Sequence, residues 1–97
     1  MKRVRFHPDA EAEFTAAAEF YEAQAPGLGL EFMSRVRHAS RTIAAHPQIG
    51  RRLSRRLRRF LVHRFPYGLL YQVEQDHVFI VAVMHLHRRP GYWKDRV

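Results

Sequence analysis

Residues Val78-Phe79-Ile80-Val81-Ala82-Val83 run for six positions without a polar side chain. Such a run is too short to span a bilayer, and it offers no polar face to water. As a strand it must be covered on both sides, which makes it central in a sheet that carries other layers. Its neighbours in sequence read as partners. Phe60 to Phe65 is one strand-like run, Pro66-Tyr67-Gly68 a turn, and Leu69 to Val73 a second run. Glu74-Gln75-Asp76-His77 then turns the chain into the apolar strand. Near the N-terminus, Val4 and Phe6 between Arg3 and Arg5 predict a further short strand.

Between that strand and the meander the apolar period changes to a helical one. Pro8 fits a first helical turn, where its missing N–H is not needed, and Asp9 and Glu11 suit the positive end of the helix dipole. Ala10, Phe14, Ala17 or Ala18, and Tyr21 form one stripe, and Ala25-Pro26-Gly27 ends it. A second helix begins around Leu28–Leu30, with Phe32, Met33, Val36, Ser40 and Ile43 inward, and His46-Pro47 closes it. Helices joined by so few residues pack as an antiparallel hairpin. The expected fold is therefore α+β, in the order β-α-α-β-β-β, with the hairpin laid on one face of an antiparallel sheet. At 97 residues the chain has room for one domain, residues 1–97.

Charge is segregated along this framework. Seventeen basic residues stand against nine acidic ones, and fifteen of the seventeen are arginine. Residues 1–34 carry three basic and six acidic groups, whereas residues 35–64 carry ten arginines and no acid. A block of that kind is stable when spread over a solvated face or met by an anionic partner. Arginine suits a planar grip on phosphate or carboxylate. No cysteine is present, so neither disulfides nor a cysteine-based zinc site is expected. Glu11, Glu13, Glu19 and Glu22 interrupt any apolar leader or span, and the expected location is the cytoplasm.

An ordered set of residues then carries a resemblance. An Ala-rich first helix ending near Phe20-Tyr21 leads to Pro26-Gly27-Leu28-Gly29 and Phe32. His46-Pro47 and Gly50 follow, then Arg64-Phe65-Pro66-Tyr67 running into Leu70-Tyr71. Ala82-Val83-Met84-His85 and Arg88-Arg89-Pro90-Gly91-Tyr92-Trp93 complete it. Over essentially the whole chain the series resembles the RelE/ParE toxin superfamily, closer to its ParE-like plasmid-stabilisation members. The resemblance implies the toxin half of a type II toxin–antitoxin module. A cognate antitoxin would neutralise it by wrapping an extended segment and a helix around it, and operator DNA would be reached only through that antitoxin. ParE-like members poison DNA gyrase without nuclease chemistry. RelE-like members cut messenger RNA on the ribosome without a metal. A non-toxic remnant, or a basic nucleic-acid-binding module, is the third reading.

The site residues follow from this resemblance. For RNA cleavage, arginine stays protonated and can only stabilise phosphate, so a proton-transfer group must accompany it. Arg88 matches the arginine after the last strand of RelE-like nucleases. Arg64 lies near their basic strand residues, and Tyr92 corresponds to a C-terminal tyrosine. His85 is a candidate for proton transfer, as is His63, since imidazole titrates near neutrality. The lysines usual on the second strand are absent, and Gly68 stands where those enzymes carry an arginine. These departures favour a non-enzymatic toxin whose target surface is Arg88, Arg89, Tyr92 and Trp93, residue types that dominate interfaces. Tyr92 and Trp93 equally suit folding back onto the core. Arg55, Arg56, Arg58 and Arg59 are the expected antitoxin contacts, by charge complementarity. No cofactor is expected. His85 and His87 have strand spacing for one face but no evident third ligand, so no metal is expected either.

Overall fold

A computed structural model describes residues 1–97. The elements are β1 (Arg3–Phe6), α1 (Pro8–Gln24), α2 (Leu28–Ala45), β2 (Arg51–Arg52), β3 (Arg58–Leu61), β4 (Tyr67–Val73) and β5 (His77–His85), closed by a 3₁₀ turn at Lys94–Arg96. Pro8 opens α1, and His7 caps it by accepting the Asp9 N–H at Nδ1, 3.0 Å away. The Glu22 carboxylate accepts from the N–H groups of Gly27 and Gly29, both at 2.9 Å, so the end of α1 caps the start of α2. Those two bonds hold its carboxyl below the ordinary value. Gly29 lies so close to Ala18 O that a side chain there would collide with the neighbouring helix.

The two helices lie on one face of the sheet. Its strand order is β1-β5-β4-β3-β2, with β5 interior. The sheet is mixed: β1 runs parallel to β5, while the other pairs are antiparallel. The expected meander, helical hairpin and central strand are present. The sheet is not antiparallel throughout as expected, because the helical hairpin between β1 and the meander returns the chain so that β1 lies parallel to β5. The two-residue β2 adds a fifth strand.

A turn also sits elsewhere than expected. Pro66-Tyr67-Gly68 does not form it, because Tyr67 and Gly68 already belong to β4. The chain reverses through His63–Pro66, with Arg64 in the left-handed region at φ 74° and the Val62 N–H donating to Tyr67 O. Gly68 serves the strand instead. A β-carbon there would come within 3.1 Å of the Arg59 side chain lying across it.

A bulge in β5 explains how one run of apolar residues feeds two cores. Leu70 pairs with Ala82 but Tyr71 pairs with Ile80, so Val81 is the extra residue. Val78, Ile80 and Val83 face the helices, packing with Ala10, Phe32, Val36, Ile43 and Tyr71. Val81, Ala82 and Met84 face the other way and join Leu57 and Leu70 under Phe79, Tyr92 and Trp93. The C-terminal tail thus covers the face that the helices leave open.

Candidate functional site

β5 outruns its parallel partner. β1 pairs only with His77 to Ile80, so the edge of β5 from Val81 onward lacks a strand on that side. Two side chains supply the missing partners. The Glu13 carboxylate accepts the Val83 N–H at 3.0 Å, and the Arg96 guanidinium donates to Val81 O at 3.2 Å. The two groups also bind each other through paired bonds of 3.0 Å. Their side chains are only 12% and 17% exposed, Arg96 and Glu13 respectively, so this is a largely desolvated pair. The pair was missed from sequence. Glu13 carried a signal, since it falls between Ala10 and Ala17 on the inward side of α1. Arg96 carried none.

Tyr92 lies against this lock. Arg88 stands over its ring with Cζ 4.0 Å from the centroid, and Arg96 approaches it at 5.1 Å. The Tyr92 hydroxyl is buried without a hydrogen-bond partner. Burial first, and then the neighbouring Glu13 carboxylate, push its ionisation well above the ordinary range of a phenol. The buried hydroxyl is poorly placed for proton transfer, and Arg88 already covers one face of the ring.

The remaining candidates separate into three surfaces. His85 and Arg88 line one cleft with Glu13, Phe20 and Tyr67, of about 220 Å³. The His85 ring stands 5.1 Å from Tyr67 and accepts the His87 N–H at Nδ1. β5 ends at His85, so His87 lies in a turn and not on a continued strand face. Arg64 and His63 line a different cleft beside α2, where Arg64 pairs with Glu31 at 2.6 Å. Arg64 is therefore not gathered with His85, Arg88 and Tyr92. Arg88 and Arg89 are exposed, whereas Tyr92 and Trp93 are half-buried on the sheet.

The third surface is the arginine hairpin of β2 and β3. Arg55 and Arg56 are exposed at its tip, and Arg58 and Arg59 are half-buried on β3. Leu57, 3% exposed, anchors the tip to the outer sheet core. Tyr71 anchors the base: its hydroxyl donates to Pro47 O and accepts from the Gly50 N–H, both at 2.8 Å. Tyr71 is buried, whereas Tyr67 packs on Phe32 and is half-buried at the edge of the His85 cleft.

No helix of the chain is long and apolar enough to cross a membrane. Residues 4–90 match the family model described as ParE toxin of type II toxin-antitoxin system, parDE. No curated protein matches the chain. Among solved structures, a chain of the chromosomal ParDE TA system from P. aeruginosa is similar in fold. It has a TM-score of 0.76 at 17% identity, over 88% of this chain and 96% of that one.

Proposed function

Because the chain belongs to the ParE toxin family of type II toxin–antitoxin systems, we propose that it arrests bacterial growth by binding DNA gyrase and that a cognate antitoxin holds it inactive. The observation that carries the first part is the dispersal of the nuclease candidates. Arg64 is engaged by Glu31 in its own cleft, and the Tyr92 hydroxyl is buried. Metal-free cleavage needs an acid and a base positioned around one phosphate. Target binding needs less: a rigid platform with exposed cationic groups. The tail supplies one, since Trp93 and Tyr92 seat it on the sheet and leave Arg88 and Arg89 outward.

One observation favours the ribosomal reading instead. His85 and Arg88 share a cleft with Glu13, so an imidazole and a guanidinium do converge there. The two readings part in cells. After induced expression in a growing host, thymidine incorporation should fall before amino-acid incorporation, and purified protein should block gyrase supercoiling. Early loss of amino-acid incorporation with discrete cuts in translated messages, and gyrase untouched, would overturn the gyrase reading. Co-expression with the protein encoded beside it should restore growth; failure would remove the antitoxin from the proposal.

A further inference from the structure

The β2–β3 hairpin pairs like charges at both of its registers. Arg51 lies opposite Arg59, and Arg52 opposite Arg58. Directly opposed charges of one sign destabilise an antiparallel pair. Little nearby offsets them. Of the arginines at positions 51, 52, 55, 56, 58 and 59, only Arg56 has a carboxylate partner, Glu74 at 3.4 Å. The hairpin is nonetheless held at both ends, by Leu57 at the tip and by the Tyr71 hydroxyl at Gly50. A β-carbon on Gly50 would lie 2.5 Å from that hydroxyl, so the base has no slack.

Arg58 is also fixed in direction. Its guanidinium donates to Gln48 O, Gly50 O and the Gln48 side chain. With Arg52, Arg55 and Arg56 it lines a cleft of about 160 Å³ in which Val73 is the one apolar residue. Four arginines therefore line one polar hollow, Arg58 fixed by Gln48 and Gly50 and Arg56 near Glu74, on a support that keeps them together against their own repulsion.

We propose that this hairpin is a binding site for the phosphodiester backbone of nucleic acid, separate from the tail surface assigned to the protein target. The lining argues for phosphate over an acidic protein segment. Protein interfaces draw their affinity from a desolvated apolar or aromatic centre, which this cleft lacks. Nucleic-acid interfaces are polar and strongly positive, and guanidinium groups meet phosphate oxygens in paired bonds. Contacts of this kind read no sequence. The site holds the protein on nucleic acid without choosing a position along it, and it does so whether or not the gyrase reading stands.

The test is fluorescence anisotropy of the whole chain with labelled oligonucleotides of arbitrary sequence, one duplex and one single-stranded, between about 50 and 200 mM salt. Affinity should fall steeply with salt, and the preferred oligonucleotide identifies the source of the backbone. The triple variant Arg52→Gln, Arg55→Gln, Arg56→Gln alters side chains on the exposed tip and the adjacent strand. It should flatten the logarithmic salt slope by about 2 to 3 and weaken binding roughly tenfold or more at the lower salt. The matching lysine triple should keep the slope, because it keeps the charges. A thermal melt confirms that each variant is folded. An unchanged slope in the glutamine triple would overturn the proposal. So would displacement of the oligonucleotide by a polyglutamate peptide at lower concentration than by unlabelled oligonucleotide, which would assign the surface to an acidic protein.

Discussion

Arginine is used in two opposite ways in this chain. At the free edge of β5, Arg96 is mostly buried, doubly bonded to Glu13 and bonded to a backbone carbonyl. On the β2–β3 hairpin, arginine faces arginine across the strands with one carboxylate among six cations. The first arrangement completes a sheet, and every charge in it is answered from within the chain. The second leaves charge unanswered on a rigid support. Side-chain chemistry is the same in both places, and the partners decide the role.

The largest effect is expected from breaking the answered pair. Glu13→Ala strands the Arg96 charge and leaves the Val83 N–H without its acceptor. It should cost about 3 kcal/mol of stability. Urea unfolding with an unchanged m-value would read it; a loss within a few tenths of a kcal/mol would mean that water replaces Glu13 without penalty.

A smaller loss follows from loosening the support of the unanswered charges. Tyr71→Phe removes the bonds to Gly50 and Pro47 and should cost about 1–2 kcal/mol. Hydrogen exchange should also quicken at Gly50 and in β2; if exchange there is unaltered, the hydroxyl is not what holds the hairpin.

Answering the hairpin's charge should act in the other direction. Arg51→Glu opposite Arg59 should raise stability by about 0.5 kcal/mol while weakening oligonucleotide binding. A variant that loses stability and keeps its affinity would contradict the reading of the opposed arginines.

The smallest effect concerns Glu22, an exposed carboxylate that answers backbone rather than side chain. Its carboxyl is held below the ordinary value of 4.5 by the N–H groups of Gly27 and Gly29. A depressed carboxyl stabilises the fold fully above the unfolded value and ceases to do so as pH falls through the folded one. Glu22→Gln should therefore flatten the pH dependence of the melting temperature below about pH 4.5. Equal slopes in variant and parent would exclude a role for this cap.

Much of the architecture was legible because it rests on local period. Val78–Val83 announced an interior strand, and Ala10, Ala17, Phe32, Val36 and Ile43 announced inward helix faces that the core contains. The tail's Tyr92 and Trp93 could be read as either docked or displayed, and they are docked in part. What was not legible depends on long-range or very short features. β2 spans two residues and has no period. The bulge at Val81 is invisible in an all-apolar run. Pro66 and Gly68 resembled turn residues, but the reversal depends on Arg64 adopting positive φ, which arginine does not advertise. Glu13 and Arg96 stand 83 positions apart, and only the closed fold brings them together.

The parallel pairing of β1 with β5 bears on how the protein is made. Arg3 is aligned with His77, so β1, the first strand of this fold, has no neighbour in the sheet until β5, the last, is made. Pairings so distant along the chain form late, after the cost of closing the intervening loop. The lock between Glu13 and Arg96 waits longer still. A nascent chain can form its helical hairpin early, but it cannot finish its sheet while the C-terminal residues are still in the exit tunnel. A chain that lacks β5 has neither the strand that joins β1 to β4 nor the surface on which the tail packs.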